Sequence, residues 1–147
     1  MTPTKEENKM EETTMTKEEK QLLLIDLCAR LPYGVILSVD NGKYREDKKI
    51  WPSLFNSDSL WDAKPYLRPM SSMTEEEREE WADLFNLELD KLNEIDDENK
   101  AEELAPYYFG KSHQVSIDWL NKNMFDYRGL IPMGLALESP EGMYKTE

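Results

Sequence analysis

Residues 16–42, TKEEKQLLLIDLCARLPYGVILSVDNG, carry the pattern of a helix followed directly by that of a strand. Thr16 with Glu19 three residues later has the capping-box spacing, which satisfies two backbone N–H groups at a helix start. Pro32 and Gly34 are expected to end this helix. The apolar spacing of three and four predicts one buried helix face, formed by Leu24, Leu27, Cys28 and Leu31.

The residues that follow this helix alternate in the way a half-buried strand does. Residues 35–40 place Val35, Leu37 and Val39 on one side and other side chains between them. Asn41-Gly42 predicts a hairpin, because both residues tolerate the positive φ angles of a type I′ turn. The return strand is expected over residues 43–51, and its many charges favour the edge of a sheet.

Two more helices are predicted in the second half of the chain. One begins at Thr74, again with the capping-box spacing to Glu77. The other runs from about Ser112 to Asn123, after a short helical turn over residues 100–104 that Pro106 is expected to end. The buried stripe of the first of these two helices is predicted to be Trp81, Leu84, Phe85, Leu92 and Ile95.

These elements predict the α+β class, with about three helices packed on a small antiparallel sheet or hairpin. Residues 52–73 are expected to be an ordered connector with short strand or 3₁₀ pieces. Residues 1–15 show no periodicity and are predicted to be a disordered tail, so that residues 16–147 form a single α+β domain. An extended C-terminal segment is expected to close the core.

The charge of the chain is concentrated in one segment. The net charge is −13, and residues 74–104 hold fourteen acidic residues against three basic ones. This balance argues against direct binding of nucleic acid, which needs clustered positive charge. One cysteine excludes an intrachain disulfide and fits a reducing compartment. With no apolar run near the ~20 residues of a membrane span, we expect a cytoplasmic protein without membrane contact.

The residue types that chemistry requires are scarce. His113 is the only histidine, and a nucleophile usually needs such a base beside it. Cys28 lies on the predicted apolar face of the first helix, so we expect a core cysteine and a surface histidine. The set is too small for a zinc site, and residues 96–99 (DDEN) lack the EF-hand spacing and favour a solvated helix end. The sequence predicts no enzyme, no metal and no cofactor.

Three stretches together resemble a known group of proteins. They are DLCARLPYGV (residues 26–35), KPYLRPMSSMT (residues 64–74) and the run from DWLN (residues 118–121) through FDYRGLI (residues 125–131) to GLALE (residues 134–138). The chain resembles a family of uncharacterised small proteins from gut Bacteroidales genomes and their prophages. The resemblance implies a mobile-element origin and no activity. It weakens between residues 41 and 62, where family members are longer and richer in strand.

These observations favour a non-enzymatic protein-interaction module, of mobile-element or phage origin and with an unknown protein partner. The predicted partner-binding residues are Tyr66, Arg68, Tyr127 and Arg128, because arginine and tyrosine in rigid segments are typical interface anchors. A different interpretation pairs both arginines with internal acids and packs both tyrosines in the core. An alternative function is an acidic, DNA-mimic-like inhibitor of a nucleic-acid-handling complex, since regular carboxylates on a helix present the field that a basic groove expects.

Overall fold

A computed structural model of the chain describes residues 15–40 and 42–144. This part contains three α-helices and four strands, which confirms the α+β class and the number of helices. The helices are α1 (Lys17–Arg30), α2 (Glu75–Asn93) and α3 (Glu98–Lys122), and the strands are β1 (Ile36–Asp40), β2 (Arg45–Lys49), β3 (Lys64–Leu67) and β4 (Leu137–Glu138). Short 3₁₀ helices cover Leu31–Tyr33, Pro52–Asn56, Asp58–Trp61 and Met70–Ser72.

The described residues divide into two compact units. The first unit comprises residues 15–66, apart from residue 41, together with residues 128–137. The second comprises residues 67–127 and 138–144. The expectation of one domain over residues 16–147 stays a prediction. The expected tail, residues 1–15, lies outside the described residues except for Met15.

The sheet has four strands in the order β2-β1-β3-β4. β1 pairs antiparallel with β2, where Leu37 faces Lys48, and antiparallel with β3, where Leu37 faces Pro65. β2 therefore forms an edge, as its charged sequence predicts. The sheet is mixed and not purely antiparallel, which corrects the expected topology. The sequence did not predict β4 as a strand, because a pair of residues is too short to show alternation.

The first unit begins with α1, whose capping box is present as predicted. The Thr16 N–H donates to Glu19 Oε1 at 2.9 Å, and the Glu19 N–H donates to the Thr16 hydroxyl at 3.1 Å. The buried face of α1 differs from the prediction and consists of Leu23, Asp26, Leu27 and Arg30. Cys28 is exposed, so the expectation of a core cysteine is wrong. Asp26 and Arg30 are buried as an ion pair, which a search for apolar periodicity does not detect.

The predicted hairpin after β1 is present. β1 and β2 pair residue for residue from Ile36 with Lys49 to Asp40 with Arg45. The connection therefore has four residues, which corrects the predicted two-residue type I′ turn. Gly42 has a positive φ of 97°, and Asn41 lies outside the described residues. Leu37 and Val39 are buried as predicted, and Val35, just before β1, is buried too.

The second unit is built around α2 and α3. The Trp81 indole N–H donates to the Ser116 hydroxyl, and the Ser112 hydroxyl donates to the Phe85 carbonyl, so the two helices run antiparallel. α3 is one continuous helix that contains Pro106, which corrects the predicted break there. Proline costs a helix interior about 3 kcal/mol. Packing against α2 outweighs that cost, because Ala101, Leu104 and Ala105 before Pro106 are partly buried, and Ser112 and Ser116 after it hydrogen-bond to α2.

The corrected face of α1 is testable with two large-to-small substitutions on one helix. Leu27 is fully buried, whereas Ile25 is about half exposed. We expect Leu27→Ala to lower the free energy of unfolding by about 2–5 kcal/mol, because it leaves a cavity. Ile25→Ala, the matched control, should change it by less than about 1 kcal/mol. Urea denaturation followed by circular dichroism measures both, and equal losses would contradict the assignment.

Candidate interaction surface

The four predicted partner-binding residues lie in different units of the molecule. Tyr66 and Arg128 belong to the first unit, and Arg68 and Tyr127 belong to the second. Each makes contacts with other residues of its own unit. The contacts of the two arginines follow the interpretation in which they pair with internal acids. Their assignment to a partner surface stays a prediction.

Arg128 completes a buried ion pair in the first unit. Asp26 is fully buried on α1, and Arg30 donates to both of its carboxylate oxygens at 2.9 and 3.1 Å. The Arg128 guanidinium donates to Asp26 Oδ1 at 2.7 Å. A buried carboxylate is costly unless it is paired and hydrogen-bonded. Arg128 therefore ties residues 128–137 to α1, across 102 positions of sequence.

Tyr66 connects two strands that flank β1. Its hydroxyl donates to the Asp47 carboxylate at 2.7 Å, from β3 to β2. This hydrogen bond, with partial burial, raises the pKa of Tyr66 above its ordinary value. The tyrosine thus stays a hydrogen-bond donor at neutral pH, and it adds a side-chain tie across the sheet.

Arg68 makes both an ion pair and a contact with an aromatic ring. Its guanidinium makes two hydrogen bonds to the Glu77 carboxylate, both 2.7 Å long, and lies 4.1 Å from the centre of the Phe125 ring. Its backbone forms a parallel bridge to Phe125. Such a bidentate, stacked geometry suits arginine and not lysine. Arg68 therefore joins the start of α2 to the segment that follows α3.

Glu77 combines this ion pair with the capping box of α2. Its Oε1 also accepts the Thr74 N–H at 3.0 Å, and the Glu77 N–H donates to the Thr74 hydroxyl at 3.1 Å. The Arg68 guanidinium is the main cause that lowers the pKa of Glu77 from 4.5 to about 2, and the Thr74 hydrogen bonds add to it. The carboxylate is therefore ionised throughout the ordinary pH range.

Tyr127 lies in the segment that follows α3, two residues after Phe125. Its hydroxyl donates to the Asn121 side-chain carbonyl at 2.9 Å, and its ring packs against the apolar core of the second unit. That core is Met73, Trp119, Leu120 and Phe125. Tyr127 thus packs at the edge of the core in the way that the second interpretation of these residues expects.

Each unit has a cavity among its described residues. The larger, about 600 Å³, lies in the second unit between Arg68, Glu77 and residues 138–144. The smaller, about 370 Å³, lies in the first unit beside Trp61 and the Arg45–Asp62 ion pair. Neither is lined by Cys28 or His113, and His113 is exposed, as predicted. The cavities therefore do not bring together a nucleophile and a histidine base.

The contacts between α2 and α3 are close near the core. The Trp81 N–H donates to the Ser116 hydroxyl at 2.6 Å, and the Trp81 and Trp119 rings stack with their centres 6.4 Å apart. Ser112 and Ser116, four residues apart on α3, are both buried against α2. Small residues at this spacing let two helices approach closely. The sequence carried this signal, which apolar periodicity alone overlooks.

Further from the core, the side chains of α2 and α3 are mostly exposed. The helices α2 and α3 form a helical hairpin, and we call its distal end, residues 85–111, the hairpin tip. Glu88 is the one residue of this fully described segment that is buried. Large apolar side chains of the tip are exposed by 43–59%: Phe85, Leu87, Tyr107 and Phe109. The predicted burial of Phe85 is therefore wrong, because α3 covers only part of the apolar stripe of α2.

Glu88 is an acid where a core residue is expected. Its side chain is 6% exposed, and its Oε1 lies 3.1 Å from Lys91 Nζ and 3.6 Å from Lys111 Nζ. Within the described part of the chain, its Oε2 has no hydrogen-bond partner. Such a buried, half-satisfied carboxylate lowers stability and calls for an explanation.

Comparisons with known proteins give no match, whether to a family model, a curated protein or a solved structure. The resemblance to a Bacteroidales family thus stays a prediction. Across residues 15–40 and 42–144, there is no group of three or more His, Cys, Asp or Glu side chains that could hold a metal ion. In the same ranges, no helix is long and apolar enough to cross a membrane.

The low pKa of Glu77 predicts a pH dependence of stability. A carboxyl whose pKa is lower when folded contributes stability above its unfolded pKa, and this contribution is lost as pH falls through the folded value. Between about pH 5 and pH 2, we expect wild type to lose on the order of 1–2 kcal/mol more than Glu77→Gln, because solvent screens this partly exposed pair. Glu79→Gln, an exposed change on the same helix, should keep the wild-type slope in urea titrations. A Glu77→Gln slope equal to that of wild type would contradict this.

The ion pair of Arg128 predicts a loss of stability and not only of binding. Arg128→Ala removes one of two partners from the buried Asp26, so we expect the free energy of unfolding to fall by about 3 kcal/mol. Arg78→Ala removes an exposed arginine and should cost no more than about 0.5 kcal/mol. Thermal and urea unfolding distinguish the two variants. A fully stable Arg128→Ala protein would show that the pair is dispensable.

Proposed function

We propose that the protein is a non-enzymatic protein-interaction module and that the hairpin tip is its partner-binding surface. The observation that carries this proposal is the exposure of four large apolar side chains on two helices whose segment buries only a carboxylate. Exposed apolar side chains that are rimmed by polar residues are typical of a surface that a further protein layer covers. A partner protein supplies that layer.

The residue types of the tip suit a binding surface. Phe85, Tyr107 and Phe109 are aromatic, and aromatic residues are enriched at the centres of interfaces. Full burial of one such side chain contributes about 1.5–3 kcal/mol. Tyr107 also packs edge-to-face with Tyr108, with ring centres 5.1 Å apart. The resemblance noted above supports a mobile-element or phage origin for this module.

One observation favours the alternative of a DNA-mimic-like inhibitor. The outer face of α2 carries a row of exposed acids at spacings of three, seven and four residues: Glu80, Asp83, Asp90 and Glu94. Exposed Leu87 lies in the seven-residue gap, in the middle of that row. A phosphate array offers no apolar group at such a place. The row therefore suits a partner with both cationic and apolar groups better than a groove that reads phosphates.

The test is capture of a partner by the full chain from a Bacteroidales lysate treated with nuclease. We expect one protein to be retained by wild type and lost with the double variant Phe85→Ser/Phe109→Ser. The double variant Ile25→Ser/Tyr33→Ser, which changes exposed apolar residues outside the tip, should retain it. Circular dichroism checks that both variants are folded.

A charge variant separates the two candidate functions. Neutralising the row with Glu80→Gln, Asp83→Asn, Asp90→Asn and Glu94→Gln leaves the aromatic residues in place. Under the DNA-mimic alternative, this variant loses a nucleic-acid-handling protein that the Phe85→Ser/Phe109→Ser variant still binds. Under our proposal, the aromatic variant shows the larger loss. If both variants retain the captured protein as wild type does, both candidate functions are wrong.

A further inference from the structure

We propose that the hairpin tip binds a basic amphipathic helix of its partner. This inference rests on the proposed function and names the chemistry of the partner. It follows from three features of residues 85–111, namely the level of the aromatic side chains, the sign of the charge around them and the buried Glu88.

The exposed rings of Phe85 and Phe109 lie at nearly one level of the helical hairpin. The Ser112 hydroxyl bonds to the Phe85 carbonyl, and Phe109 precedes Ser112 by three residues. At 1.5 Å per residue, Phe109 is within about one helical turn of the level of Phe85. Along α2, Leu89 and Leu92 follow Phe85 at spacings of four and three and are half-buried. The tip therefore offers a continuous apolar stripe with aromatic anchors, which fits the apolar face of a third helix.

The charge around this stripe selects a cationic occupant. Residues 85–111 contain eight acidic residues and three basic ones. The acids continue around the turn between α2 and α3, at residues 96–98 (DDE). Charge complementarity across an interface raises the association rate and rejects partners of like charge. A helix with lysine or arginine flanking its apolar face satisfies both requirements.

The same charge argues against other occupants. A second copy of the chain would bring a second segment of net charge −5 against the first. Nucleic acid and an anionic lipid surface carry the same sign as the tip, and repulsion would oppose their approach. A neutral apolar helix would leave the carboxylates without partners.

Glu88 gives the basic partner a specific contact. Lys91 and Lys111 approach only its Oε1, and their side chains are about half exposed. Its Oε2, in the described residues, lacks a donor. A guanidinium that displaces one of these half-exposed lysines supplies this donor in a charge-assisted hydrogen bond, which is stronger than a neutral one. Arginine has the planar fork for this role, so we expect arginine in the bound helix.

The experiment uses the full chain and three labelled synthetic peptides of about five helical turns. The first has a leucine face and an arginine face, the second replaces every arginine by glutamate, and the third keeps the arginines but replaces every leucine by serine. Fluorescence anisotropy measures the affinity of each. We expect the leucine–arginine peptide to bind at least about tenfold more tightly than either control peptide, because it alone has both the apolar face and the positive charge.

Variants of the chain localise that binding. Phe85→Ser/Phe109→Ser should weaken the leucine–arginine peptide at least about tenfold, and Glu88→Gln about threefold or more, because the guanidinium then faces a neutral amide and loses its ion pair with the carboxylate. Ile25→Ser/Tyr33→Ser is the control and should leave the affinity unchanged. Equal binding to wild type and to the aromatic variant would overturn the inference, and so would tighter binding of the glutamate peptide. A wild-type dimer that the aromatic variant loses would assign the tip to a second copy and overturn it too.

The two proposals can fail separately. If a lysate partner binds through the tip but its contacting helix is acidic or neutral, the interaction function stands and the basic-helix inference falls. If neither a lysate protein nor the leucine–arginine peptide depends on the tip, both fall. Sequence mapping of the captured partner by cross-linking to the tip decides between these outcomes.

Discussion

The buried carboxylate of Asp26 is the constraint on which the first unit depends. A charge at full burial must be paired, and the two guanidinium groups that pair it come from opposite ends of the sequence. Arg30 fixes the face that α1 buries, and Arg128 brings residues 128–137 to that face. The last strand of the sheet begins at the end of this segment, at Leu137. Two ion pairs to one carboxylate, which no hydrophobic pattern shows, thus join α1 to the segment that leads into β4.

The second unit uses the same chemistry at the helix start. Arg68 pairs with Glu77, whose carboxylate also caps α2, and it stacks on Phe125. Arginine serves interfaces because its planar fork binds carboxylates and its face stacks on rings. The same properties serve inside a fold, where the carboxylate and the ring belong to the chain itself. The sequence therefore indicated that Arg68 and Arg128 bind carboxylates or rings. It did not indicate whether those groups belong to this chain or to a partner.

The sequence predicted those parts of the fold that local physics determines. Both capping boxes, the strand at residues 36–40 and the edge position of β2 follow from spacing and composition. The predictions were wrong where contacts between distant residues determine the structure. The buried ion pair changes which residues of α1 are buried, and packing against α2 keeps α3 helical at Pro106. The sequence also failed to predict the exposure of the hairpin tip, because its apolar pattern predicts burial. Its apolar spacing is that of a buried stripe, and only the structure shows that Phe85 stays exposed.

The tip is also where the chain departs from what stability alone favours. A leucine in place of Glu88 would fill the site between α2 and α3 without burying a charge, and polar groups in place of Phe85 and Phe109 would remove an exposed apolar patch. Sequences that are locally consistent elsewhere tend to break such rules at functional sites. The proposed binding of a basic helix would resolve both departures, because a helix that covers the rings and carries a cation for Glu88 removes the exposed surface and the unsatisfied oxygen together.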